Sequence, residues 1–74
     1  MKYYEILSDI MLGFLSRCGT VDYLFGPTEG WVLECNEHTI WVKKETIRHE
    51  SITMANAVPI WLAQGKIKEI NENH

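Results

Sequence analysis

At Gly19 the spacing of apolar residues changes from helical to extended, and that switch restricts the chain to a mixed helix-and-sheet design. From Tyr3 to Leu15 the apolar side chains fall at 3, 6, 7, 10, 11, 14 and 15, offsets that line one face of a 3.6-residue helix. The spacing predicts a helix over residues 1–18, with Glu5 and Asp9 toward its positive end, Arg17 in its last turn and Gly19 closing it. Gly13 inside it costs about 1 kcal/mol relative to Ala, so either the helix is short or another backbone approaches there.

Beyond Gly19 the period is two. Thr20–Phe25, Trp31–Cys35 and Thr39–Lys43 read as strands, broken by Gly26-Pro27-Thr28-Glu29-Gly30 and by Asn36-Glu37-His38. With Asn36-Glu37 as a two-residue turn, Cys35 opposes His38, Leu33 opposes Ile40 and Trp31 opposes Val42. The same count across the first loop sets Phe25 against Trp31, Tyr23 against Leu33 and Val21 against Cys35. Cross-strand partners share a side of a sheet, so residues 20–44 form a three-stranded meander. Its core face is Val21, Tyr23, Phe25, Trp31, Leu33, Cys35, Ile40 and Val42, covered by Ile6, Leu7, Ile10, Met11 and Phe14 of the helix.

Residues 45–57 read as a loop or a polar strand, and 58–70 admit two readings. Pro59 is either the first residue of a short helix ending at Gln64 with Gly65 as its cap, or Val58–Leu62 and Lys66–Ile70 are terminal strands around Ala63-Gln64-Gly65. The second reading, which is favoured, resembles the end of a small SH3- or Sm-type barrel in the order and length of its elements only. The expected fold is therefore α+β: an N-terminal helix, then a strongly bent antiparallel sheet of three to five strands, with an α-β-β-β-α sandwich as the alternative. The polar tail 71–74 is expected to fray.

Seventy-four residues leave room for one domain, and a core of this size rarely contributes more than about 3–5 kcal/mol, so a disulfide, a metal or self-association is the usual supplement. No secretory leader is evident, which favours a reducing, cytoplasmic setting and argues against a Cys18–Cys35 disulfide. The uncharged run Ile10–Ser16 is too short to span a membrane. The net charge is −3, with six acids and two bases in residues 1–37 and four acids and five bases in residues 38–74. A strongly basic nucleic-acid footprint is thus missing, although Lys43, Lys44, Arg48, Lys66 and Lys68 would form a local patch if the fold gathered them.

The sharpest chemical constellation is Cys35-Asn36-Glu37-His38, with Cys18 and His49 available as third and fourth zinc ligands. Cys35 falls on the apolar face, where a small hydrophobe belongs, so no metal or other cofactor is expected. His49-Glu50 begins like a helical zinc-protease motif, but Thr53 stands where its second His would be. Neither a nucleophile elbow, a phosphate loop nor a Ser/His/Asp set is present, so the chain reads as non-enzymatic.

The aromatics carry more information. Trp41 has the opposite parity to the core face, beside Val32, and Trp61 lies in the ambiguous C-terminal segment. Either barrel closure buries both, or Trp41, Trp61, Val32, Lys43, Lys44 and Arg48 form a partner-binding surface. The favoured function is a protein-binding module with homodimerisation open to it, in the manner of a small phage or mobile-element accessory protein that inhibits or adapts a host protein. The alternatives are a nucleic-acid-binding barrel and an oligomer that binds a small ligand.

Overall fold

A computed structural model describes residues 1–71, and it replaces the expected N-terminal helix with two strands. The order is β1 (Lys2–Ile6), β2 (Ile10–Ser16), β3 (Gly19–Phe25), a 3-10 turn Pro27–Glu29, β4 (Val32–Cys35), β5 (Thr39–Lys44), β6 (Ile47–Met54), α1 (Ala57–Ala63) and β7 (Ile67–Ile70). Strand accounts for 58% of the residues and helix for 14%, and the α-helix sits mid-chain, so the α+β expectation is corrected to a mainly antiparallel protein. Five strands form a sheet in the order β6-β5-β4-β1-β7, and β2 and β3 form a separate hairpin sheet. The two sheets do not close into a barrel.

The opening segment satisfies both periods, which is why it misleads. Its even-numbered set Tyr4, Ile6, Ile10, Leu12 and Phe14 alternates as a strand would, and the first four are buried, while Leu7, Met11 and Leu15 of the helical stripe are exposed. Gly13 decides between the two. A Cβ there would lie 3.2 Å from Asp22 Oδ1 and 3.3 Å from Ile52 Cγ1, so the close approach the glycine signals is a neighbouring strand.

Strand pairing also departs from the meander. β3 pairs with β2, Phe14 against Val21 and Leu12 against Tyr23, whereas β4 lies between β1 and β5. Val21 and Tyr23 consequently leave the expected core face and stand exposed, while Phe25, Leu33, Cys35, Ile40 and Val42 are buried and Trp31 is partly so. Within the β4–β5 hairpin, Cys35 opposes Ile40 and Leu33 opposes Val42, a slide of two residues from the expected register. A two-residue slide preserves side-chain parity, so the buried face survives the change. The turn shifts with it: the Asn36 side-chain oxygen accepts the His38 and Thr39 N–H groups, both at 2.7 Å.

The hairpin β2–β3 covers the core face of the larger sheet and is fastened to β6 by hydroxyls. Gly13 N–H donates to Thr53 Oγ1 (2.9 Å), Thr53 N–H to Ser51 Oγ (3.0 Å), and Ser51 O–H to the Gly13 carbonyl (2.7 Å). A bulge makes this possible, because the β5–β6 register jumps from Ile40–Ser51 to Thr39–Met54 and turns Thr53 toward β2.

Of the two readings of this segment, the fourth strand Val58–Leu62 is not formed and the short helix is: α1 begins at Ala57, two residues before the expected Pro59. Pro59 is its third residue, where the backbone N–H would have no helical acceptor, so the ring costs nothing. Gly65 (φ 71°) reverses the chain behind the helix, Lys66 N–H donates to the Trp61 carbonyl (2.9 Å), and β7 returns beside β1. Of the tail expected to fray, residues 72–74 lie outside the described residues.

Candidate protein-binding surface

Two layers leave one face of the five-stranded sheet uncovered, and four of the six expected partner-binding residues share it. Trp41 lies opposite Glu34 on one side and Glu50 on the other, while Lys43 lies between Val32 and Arg48. The Arg48 guanidinium stacks on the Trp41 ring at 4.4 Å and pairs with the Glu34 carboxylate, which is buried beneath them. These side chains satisfy one another, as expected of the solvated side of an antiparallel sheet.

Lys44 and Trp61 are elsewhere. Lys44 has the parity of Ile40 and Val42 and reaches over Trp31, 5.7 Å from the ring centre, whereas Trp61 packs from α1 against the core. The basic residues are therefore not gathered. Lys43 and Lys44 leave the sheet by opposite faces, Arg48 is tied to Glu34, and Lys68 stands on the far edge strand, roughly 19 Å from β6 at the usual strand spacing.

The residues considered as zinc ligands are dispersed too. Cys18 is exposed in the β2–β3 turn, Cys35 is buried in β4, His38 is exposed in the β4–β5 turn and His49 is exposed on β6. Among the described residues, no three His, Cys, Asp or Glu side chains are grouped to hold a metal ion. Cys35 and His38 do line a shallow cleft of about 800 Å³ beside Tyr4 and Pro59, but burial and then the Glu34 charge push the Cys35 thiol up to about 11, away from the thiolate a metal or a substrate would need.

A different surface stands out once coordinates are at hand. Between the outer half of the hairpin and the first half of β6 runs an open groove of about 720 Å³, with Phe25, Trp31 and Val42 among its walls. Rings follow one another along it: Tyr23 to Phe14 at 5.8 Å, Phe14 to Phe25 at 5.9 Å, Phe25 to Trp31 at 5.5 Å and Trp31 to His49 at 6.3 Å, mostly edge-on or tilted. Leu15, Tyr23, Leu24 and Ile52 line it while each remaining at least half exposed, and its charged residues are Glu29 and Glu50. Glu29 is fixed in place by the Gly26 N–H at 2.7 Å.

Sequence reasoning assigned Tyr23, Phe25 and Trp31 to the core and so missed them as a surface. A signal was available in Thr20–Phe25, where Leu24 is apolar on the side opposite Val21, Tyr23 and Phe25, more apolar surface than one covered face requires. No protein-family model, curated protein or solved structure matches this chain. Among the described residues, no helix is long and apolar enough to cross a membrane.

Proposed function

We propose that the chain is a non-enzymatic protein-binding module that holds an extended, apolar and basic segment of its partner in the groove beside β3. The observation that carries this reading is the line of four aromatic rings ending on His49, bordered by aliphatic side chains that stand in water. Large rigid rings supply contact area at low entropic cost, and such residues dominate binding energy at interfaces. The acids Glu29 and Glu50 favour a partner segment carrying Lys or Arg, in keeping with the chain's net charge of −3. An inhibitor or adaptor role suits a module whose resource is a contact surface. The open sheet face is the weaker candidate, because Arg48, Glu34 and Trp41 already satisfy one another. The distance of Lys68 from Lys43 and Arg48, and the opposite face taken by Lys44, weigh against nucleic acid.

The test is a selection of random peptides displayed on phage, followed by titration of the winners into isotopically labelled protein. Selected peptides are expected to combine aromatic or aliphatic residues with Lys or Arg and to shift the signals of Tyr23, Trp31 and His49. Tyr23→Ala, at an exposed position that the fold does not need, should weaken binding about tenfold, while Trp41→Ala on the other face should leave it unchanged. Shifts confined to the Trp41 face, or binding of nucleic acid that collapses as salt rises while no peptide binds, would refute the reading.

A further inference from the structure

We infer that β3 is a homodimerisation edge, at which a second copy of this chain pairs antiparallel with the first and extends the hairpin into a four-stranded sheet β2-β3-β3-β2. β3 has a strand partner on one side only, and six of its seven residues are exposed. The two-residue turn joining Ser16 to Gly19 makes that pair hydrogen-bonded, so Val21, Tyr23 and Phe25 direct their backbone groups to β2, whereas Thr20, Asp22 and Leu24 direct theirs outward. The same alternation requires Gly13 of β2 to point its backbone away from β3, and its N–H and carbonyl do bond to Thr53 and Ser51. Three N–H and three carbonyl groups therefore stand unpaired by strand along an edge that no proline or bulge interrupts.

Charge selects a second copy, and it selects the antiparallel orientation. Arg17 sits in the turn at the start of β3. At the other end Gly26 lies between two carboxylates: Asp9 Oδ1 is 2.8 Å from where its Cβ would be, and Glu29 Oε2 is 3.3 Å from it. The strand thus has one basic and one acidic end, and antiparallel pairing with itself brings opposite charges together twice.

The register follows from Asp22. A two-fold axis at Asp22 would set two carboxylates face to face, a destabilising pair. An axis at Val21 instead places Thr20 against Asp22 of the second copy as hydrogen-bonded pairs, Val21 against Val21, and Arg17 beside Phe25 and Gly26 of the second copy, where Asp9 and Glu29 stand. The pairing runs along the outer edge of β3, whose Val21 and Leu24 also line the groove, so this interface adjoins the proposed peptide site.

Sedimentation equilibrium of the full chain should give twice 8.6 kDa. In a Cys18→Ser background, Val21→Cys should become an intermolecular disulfide with oxidised glutathione, because a non-hydrogen-bonded antiparallel pair brings the two side chains close, whereas Leu15→Cys on β2 should not. Arg17→Glu, in an exposed turn that cannot unfold the protein, should weaken the dimer about tenfold, and adding Asp9→Lys should restore it. A mass that stays at 8.6 kDa up to millimolar protein overturns the inference, even if peptides still bind the groove. A dimer that neither cross-links through Val21→Cys nor responds to Arg17→Glu overturns it equally.

Discussion

Cys35 is held by two influences that act in the same direction. Burial first, and the neighbouring Glu34 charge second, raise its thiol from 9.0 to about 11; Tyr4 beside it is raised by burial, by Glu69 and by Cys35 itself. In the fold the thiol keeps its proton at pH values where the unfolded chain releases it. The contribution of Cys35 to stability is therefore level below pH 9 and falls as the pH climbs from 9 toward 11. Urea midpoints measured across that range should decline in the parent protein and decline less in Cys35→Ala, whose lower starting value reflects lost packing. A maleimide at neutral pH should modify Cys18 and leave Cys35 untouched until urea unfolds the chain, so equal labelling of both would contradict this placement. At this scale parity was enough to read. Alternation alone put Cys35 on the buried face and Val32 and Trp41 on the other, because a strand has two sides and each residue must choose one. The partners of those residues, Glu34 for Arg48 and Trp31 for Lys44, depend on which strands are neighbours and were not legible.

Among the elements, the hydroxyl link between Gly13, Ser51 and Thr53 deserves a direct measurement, since it joins β2 to β6 where no backbone ladder runs between the two sheets. Ser51 is buried, and Ser51→Ala removes the donor to the Gly13 carbonyl along with the acceptor for Thr53 N–H. A loss of about 1–3 kcal/mol is expected in chemical denaturation, with Thr53→Val, which leaves Gly13 N–H without its oxygen, in the same range. Both variants within a few tenths of the parent would show the link to be incidental. The strands around it were foreseeable in part. Thr20–Phe25 and Thr39–Lys43 were bounded to within a residue by turn chemistry at Gly19, Gly26-Pro27 and Asn36. The first fifteen residues were not, because Tyr3, Leu7, Met11 and Leu15 complete a helical stripe that tertiary pairing overrides, and only Gly13 and the off-stripe Leu12 spoke against it. Pro59 admitted both a strand and a helix start, and the helix is what forms: the preference for an extended Val58 yields to a first helical turn in which a proline gives up no helical hydrogen bond.

For the molecule as a whole, the two sheets differ in how firmly they are built, and that difference is measurable. The five-stranded sheet holds Leu33, Ile40 and Val42, all fully buried, and its central strands have a ladder on both sides. The hairpin has one ladder, rests on the core through Ile10, Leu12 and Phe25, and carries an outer strand that is exposed along nearly its whole length. This asymmetry could not be read from periodicity, because parity says which side a residue faces and not which strand lies next to it; the expected meander gave β4 the wrong neighbour while keeping its buried residues correct. Local opening free energies follow buried contact and protected hydrogen bonds, so they should separate by sheet. In native-state hydrogen exchange the amides of Val21 and Tyr23, bonded within the hairpin, are expected to exchange well before those of Leu33, Ile40 and Val42, which should require global unfolding. Ser51→Ala should sharpen the contrast, since it unfastens the hairpin from β6: exchange at Val21 and Tyr23 should accelerate by more than the change in global stability accounts for. If all five amides exchanged at one rate in both proteins, the hairpin and the sheet would be a single cooperative unit, and the hydroxyl link would have no separate role in holding them together.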